Sequence, residues 1–407
     1  MTRMIRMFIM TRLTGMIAAI CLTACCASTF AEPLLELTTK QEVYVGKSIA
    51  HDQHVCWLAQ TDGRLEEISL RDVTSFRKIN DQFRGMTAVE IRSQLRREFG
   101  HDWEIESTKH YLVCAPKGRA KPFSALFEDV YRSLRGYVTV RGFELPPPDF
   151  PLIAVVFPNE KQFAANCRKD GLPFLPGLRG YYHRRTNRVN VFEDDSDHLA
   201  MTTPRRLTAF DHTTAFPSVL RANSRWGDGY SILTTPSEFD ANIQGTLRDT
   251  IVHEATHQAA YNLGLHTRIG ENPKWVTEGL ATLLEPDSMR QNRSSQQSKA
   301  RVNHERFEWF LGFAQQQRQP KSLADFISSD RMFQTAALNG YAQAWALSFF
   351  LAETRSTPYW QYLQTVSERD PLKPYGADER LADFQSAFGN DIDRLEVAFL
   401  RFIDDLQ

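Results

Sequence analysis

The sequence predicts an α+β chain, with a small β domain first, a mixed sheet next and a helix-rich C-terminal part last. Three patterns point there. Short strand-like runs separated by turn residues fill residues 42–76, strand and helix patterns alternate between residues 110 and 194, and apolar positions recur at helical spacing after residue 247. With 42% of its 407 residues apolar, the chain can bury more than one core and is not of the disordered class. Its 48 basic residues against 49 acidic ones leave a net charge of -1, which carries no nucleic-acid footprint.

The first residues read as an export signal. Arg3, Arg6 and Arg12 precede an apolar run from Leu13 to Ala24 that is too short to span a bilayer. Two cleavage points compete. Thr29-Phe30-Ala31 offers a small-residue site before Glu32, which makes residues 1–31 the signal peptide. Leu22-Thr23-Ala24-Cys25 resembles the lipobox of bacterial lipoproteins, which ends the signal at residue 24 and puts a lipid anchor on Cys25. Removing residues 1–31 takes away three arginines and no acids, so the charge moves from -1 to -4. The expected location is periplasmic, anchored to the cell envelope, or secreted. Cys56, Cys114 and Cys167 remain in either mature form and allow at most one internal disulfide, for which Cys56–Cys114 is the expected pair.

The elements follow in order. "EVYVGKSIA", "VCWLAQ" and "LEEISL" read as strands, with the turn Thr61-Asp62-Gly63 between the second and third. Through "TDGRLEEISL" this part, residues 36–85, resembles the small Src-homology-3-like barrels that bacteria attach to enzymes; a hairpin packed on the main domain is the other reading. Residues 86–103 form a linker helix around "TAVEIRSQLRREF", stopped by Gly100. The main domain, 104–407, begins with the strand "HYLVCA", the helix "FSALFEDVYRSLRGY", the buried strand "LIAVVF", the helix "EKQFAANCRK" and the strand "RVNVFED". After Glu285 a polar stretch through residue 306 reads as a solvated connection, with a mobile loop or lid as the other reading, and "GYAQAWALSFFLAE" as a helix buried on nearly all faces.

The chemistry sits between these parts. Thr246 to Asp249 form a capping box, so a helix begins at Leu247 and runs to the stop at Gly264. Residues four apart share a helix face, which puts His253 and His257 together with Glu254 one residue round. About one or two chains in a hundred of this composition carry such an HExxH match by chance, so a third ligand is needed. "NPKWVTEGLATLLE" supplies it: Asn272 as N-cap and Pro273 in the first turn place Glu278 on a second helix. Two histidines and one carboxylate make a catalytic zinc set with an open position.

At His253, Glu254, His257 and Glu278 the chain resembles the gluzincins, HExxH zinc peptidases whose third ligand is a glutamate on a following helix, as in the thermolysin-like and aminopeptidase-like families. "HEATHQAAYNLG" followed by "PKWVTEGLA" looks nearest to a group of secreted bacterial gluzincin-like proteins with a WxxEGLA motif whose activity has not been assigned. The resemblance implies a gluzincin-like domain over residues 104–407, one zinc ion, Glu254 as the base that activates water, and a peptide or protein as substrate. It also implies an oxyanion donor: aminopeptidase-like members place a tyrosine at a helix start close to the distance at which Tyr341 follows Glu278, with His304 as the other candidate. Two departures stand out. Twenty residues separate His257 from Glu278, slightly more than in the best-known families, and Thr282 stands where thermolysin-like members have an aspartate. The group that orients the histidines is then Asn262, Glu285 or another acid. The alternative from a different class is an inactive envelope-binding protein that uses the same fold as a scaffold.

Overall fold

The computed structural model describes residues 32–175, 177–193, 247–291 and 298–407. The expected signal, Cys25 and the Thr246 end of the capping box lie outside the described residues. Among those described, no helix is long and apolar enough to cross a membrane. The chain divides into two compact units at Ile91/Arg92.

The first unit is a single antiparallel sheet of β1 (Leu34–Thr39), β2 (Val43–His51), β3 (Val55–Gln60), β4 (Leu65–Ser69) and β5 (Val73–Asn80), in the order β4-β3-β2-β1-β5. The expected turn at Thr61-Asp62-Gly63 joins β3 to β4, with Gly63 at a φ of 87° that only glycine adopts freely. Leu35, Leu37, Cys56, Leu58 and Ile68 form its small core. Among the described residues β4 and β5 remain unpaired edges, so the sheet is open rather than the closed barrel expected from "TDGRLEEISL". β1 and β5 escaped the sequence reading because both are half-polar strands with weak apolar signals.

The second unit, preceded by α1 (Ala88–Phe99), has a mixed sheet of β6 (Trp103–Ser107), β7 (Tyr111–Pro116), β8 (Leu152–Phe157), β9 (Gly180–His183) and β10 (Arg188–Phe192). Their order is β6-β7-β8-β10-β9. The central pairs β7–β8 and β8–β10 are parallel, and both flanking pairs are antiparallel. "LIAVVF" is buried at every position of β8, as a strand covered on both faces must be. Ala154 and Val156 belong to the main core with α2 (Ala120–Thr139) and α4 (Leu247–Asn262). Phe157 instead meets Phe163 of α3 (Glu160–Lys169).

The C-terminal part is helical: α5 (Lys274–Leu283), α6 (Asp287–Gln291), α7 (His304–Gln316), α8 (Leu323–Ser328), α9 (Arg331–Thr335), α10 (Ala337–Thr354), α11 (Ser356–Ser367), α12 (Ala377–Phe388) and α13 (Ile392–Asp404). The run "GYAQAWALSFFLAE" lies in α10 and is buried almost throughout, as its all-round apolar pattern requires. Of the described residues in the polar stretch after Glu285, Met289, Arg301, Val302 and Asn303 are buried rather than solvated. The Cys56–Cys114 bridge is absent. Cys56 is buried in the first unit and Cys114 in β7 of the second, and both are free thiols. Burial raises both pKa values, that of Cys114 to about 12, which disfavours the thiolate form that reacts.

Candidate metal centre

The helix α4 is buried around its whole circumference, and two stripes of polar residues fix its rotation. Glu254, Gln258 and Asn262, four apart, all bind the β9–β10 hairpin. Glu254 Oε2 accepts from the backbone N–H of Tyr182 at 2.7 Å. Gln258 Nε2 donates to the carbonyls of Ile153 (3.0 Å) and Asn187 (2.7 Å). The side-chain amides of Asn262 and Asn187 exchange two bonds of 2.7 and 2.8 Å. Asn262 therefore anchors the hairpin and does not orient a histidine. The neighbouring stripe, His253 and His257, faces Glu278 on α5 instead.

The start of α5 differs from the sequence reading. Asn272 closes its own loop, accepting from Thr267 N and donating to Thr267 O, and the N–H of Lys274 is taken by Asp330 Oδ1 at 2.9 Å. The WxxEGLA run has a packing reason at its glycine. A Cβ on Gly279 would overlap Ser348 Oγ and lie 2.8 Å from the carbonyl oxygen of Ala344, so only glycine lets α5 approach α10 this closely.

The structure brings the four HExxH and glutamate positions together. His253 Nε2, His257 Nε2 and Glu278 Oε2 form a triangle with edges of 3.1, 3.3 and 3.5 Å. Donor atoms about 2.0–2.1 Å from a tetrahedral ion stand about 3.3–3.4 Å apart, so the triangle matches one face of such a shell. Glu278 Oε2 is buried and, although 3.3 Å from His253 Nε2, lacks a hydrogen bond of good geometry. A buried carboxylate oxygen in that position suits a cation. His253, His257 and Glu278 can thus hold a metal ion.

Behind His253 stands the acid that Thr282 does not supply. Glu285 Oε1 lies 3.0 Å from His253 Nδ1, and because a carboxylate only accepts, Nδ1 carries the hydrogen and Nε2 is the ligand atom. Glu285 is held in turn by Asn303 Nδ2 at 2.7 Å and by the guanidinium of Arg306 at 3.6 Å. Asn303 also caps α7, accepting from Arg306 N at 3.3 Å. Of the three alternatives for this role, Glu285 fills it. Asn303 and Arg306 were missed because they lie in the polar stretch; an asparagine three residues ahead of an arginine at a helix start was the available signal.

Burial works against charge at His253, but the carboxylates of Glu278 and Glu285 outweigh it and raise its pKa to about 10. Burial likewise opposes ionisation of Glu278, yet the two imidazoles hold its pKa far below the ordinary value. The pKa of Glu254 is raised by burial, with His253 and His257 pulling the other way. Metal uptake must therefore displace the His253 proton. Below pH 10 the affinity should rise about tenfold per pH unit, with about one proton released per ion through this group; titration calorimetry in buffers of different ionisation enthalpy measures it, and zero release would remove the proton from His253. The sign for the metal-free fold is the opposite. A raised pKa adds stability that is complete below about pH 6.5 and is lost as pH rises through about 10.

Leu172, Tyr181, Tyr182, His183, Arg184, Tyr261 and Thr277 line a cleft together with Glu254, His257 and Glu278. Its wall is β9 and the residue after it, which the sequence reading passed over. Tyr341 is not among the lining residues. It is fully buried in α10, edge-on to Phe333 and beside the Arg306 guanidinium. His304 is exposed at the start of α7.

Residues 248–373, which include His253, His257 and Glu278, are similar to a family described as a protein of unknown function (DUF1570). No curated protein matches the chain.

Proposed function

We propose that the chain is an exported zinc-dependent peptidase with a gluzincin-type fold and centre, in which His253, His257 and Glu278 hold one zinc ion and Glu254 is the base. The ligand triangle carries this reading, because its edges of 3.1, 3.3 and 3.5 Å suit one tetrahedral face, with no fourth ligand among the described residues, as a catalytic zinc site requires. Zinc bound there supplies Lewis acidity, acidifying water and drawing charge from a carbonyl oxygen.

The rest is proton handling by the chain's own groups. The Tyr182 N–H fixes one oxygen of Glu254. Burial moves the pKa of Glu254 upward, toward the range where a carboxylate takes and returns protons readily near neutral pH. Glu254 accepts the proton of the attacking water and delivers it to the leaving amine. Glu285 keeps His253 in the tautomer that presents Nε2. Export through residues 1–31, or anchoring at Cys25, belongs to the same reading.

The purified chain should carry one zinc and cut a peptide mixture of varied sequence. A zinc-loaded chain that leaves both the mixture and casein intact fits the inactive binding scaffold instead. With its ring closed into the interior, Tyr341→Phe should leave kcat within about twofold; a fall of about a hundredfold, typical for a lost oxyanion donor, would return that role to Tyr341.

A further inference from the structure

His183 ends β9 and lines the cleft together with Glu254, His257 and Glu278. It is 7% exposed, and its ring stands edge-on to that of Tyr181 at 6.3 Å. One ring nitrogen is committed. The backbone N–H of Thr186 donates to Nδ1 at 3.4 Å, and Thr186 Oγ lies 3.0 Å from the same atom. A backbone N–H can only donate, so Nδ1 accepts and carries no hydrogen. In the neutral ring the hydrogen is then on Nε2, which has no hydrogen-bond partner among the described residues. The ring stays neutral, because burial lowers its pKa to about 4 although Asp170 favours the charged form.

The loop that holds this ring is itself held by the helix of the metal centre. Asn187, at a φ of 57°, exchanges amide bonds with Asn262, and Gln258 Nε2 donates to its carbonyl at 2.7 Å. Through these bonds α4 sets its own Glu254 and His257 and the His183 ring in one hydrogen-bonded frame, as a group that acts on a bound substrate requires. Three hydroxyls of the lining have already given their hydrogens: Tyr181 to Asp170 at 2.7 Å, Tyr182 to Asn187 Oδ1 at 2.8 Å, and Thr277 to the Lys274 carbonyl at 3.2 Å. Tyr341 and His304, the donors that the resemblance offers, are not part of the lining. The cleft spans about 460 Å³, the size of a small-ligand pocket, so a peptide held at the ligand triangle meets the wall that His183 forms.

We propose that His183 donates a hydrogen bond from Nε2 to a carbonyl oxygen of the bound peptide. This rests on the peptidase reading and adds to it a substrate-contacting residue from β9.

The first test needs no substrate. In nitrogen-15 spectra of the histidine-labelled chain, with the His183 ring assigned by its loss in His183→Asn, the hydrogen should sit on Nε2 at neutral pH; a hydrogen on Nδ1 overturns the proposal. The second test uses acetylated, amidated hexapeptides with alanine, leucine, phenylalanine, lysine or glutamate at the centre. His183→Asn can still accept from Thr186 but does not reach the Nε2 position, whereas the side-chain amide of His183→Gln does. With folding and zinc content unchanged, His183→Asn should cleave the best of these peptides less well, and His183→Gln should recover part of the loss. A fall in kcat of about a hundredfold or more assigns the bond to the carbonyl attacked. A KM raised about 2- to 10-fold at constant kcat assigns it to a neighbouring carbonyl. Kinetics that match the parent, or equal losses in the two variants, overturn the proposal and leave the peptidase standing. If none of the peptides is cleaved, the peptidase reading falls, and calorimetry of the same peptides with the zinc-loaded chain decides: binding weakened by His183→Asn and restored by His183→Gln keeps the donor, and equal or absent binding overturns it.

Discussion

Glu254→Gln is expected to keep one zinc per chain while kcat for peptide cleavage falls by about 10²- to 10⁴-fold, the range a positioned base contributes. Glutamine has the same shape, and its side-chain oxygen can still accept from the Tyr182 N–H that holds Glu254 at 2.7 Å. What it cannot do is take a proton. The substitution also removes a buried carboxylate whose ionisation burial opposes, so the variant should be at least as stable as the parent. Metal analysis, thermal unfolding and kcat on one cleaved peptide measure the three quantities together. A kcat within twofold of the parent removes Glu254 from the mechanism.

His257→Ala is expected to lose the ion, with zinc content falling below about a tenth of an equivalent after dialysis. Losing a group that merely orients a ligand costs about 10- to 100-fold in affinity, and losing a donor atom should cost more. The fold should survive. His257 is the ligand nearest to solvent, with a side chain 12% exposed against 2% for His253 and Glu278. Circular dichroism should match the parent while metal analysis does not. Full zinc retention would sink the ligand assignment.

The parts that were legible in the sequence are those where one physical signal dominates. His253, Glu254, His257 and Glu278 could be placed because i, i+4 spacing and a helix start fix which residues share a face, and α4 and α5 do bring them together. "LIAVVF" could be placed because a strand buried on both faces leaves an uninterrupted apolar run. The open edge of the first sheet was not legible, since closure depends on how β4 and β5 meet and not on either strand alone. The cap of α5 was misassigned for a similar reason. Asn272 has the right type and position, but Asp330, 56 residues onward, takes the Lys274 N–H. Asn303 and Glu285 are likewise joined only by the folding of a polar stretch that looks featureless in one dimension. The free thiols of Cys56 and Cys114 follow from their separate cores, which spacing along the chain does not reveal.

Two carboxylates, Glu278 and Glu285, flank the His253 ring, and Arg306 stands behind the second of them. With His253 protonated, these four groups neutralise one another without any ion. Small zinc domains collapse when stripped because their ligands have nothing else to hold them; here His253 donates from Nδ1 to Glu285 at 3.0 Å, and its imidazolium form attracts Glu278 at 3.3 Å. On the zinc reading proposed above, the chain could therefore fold first and acquire its ion afterwards. On the same zinc-peptidase reading, a chelated chain would keep its native shape, and its active fraction would follow the free zinc available to it instead of its rate of synthesis.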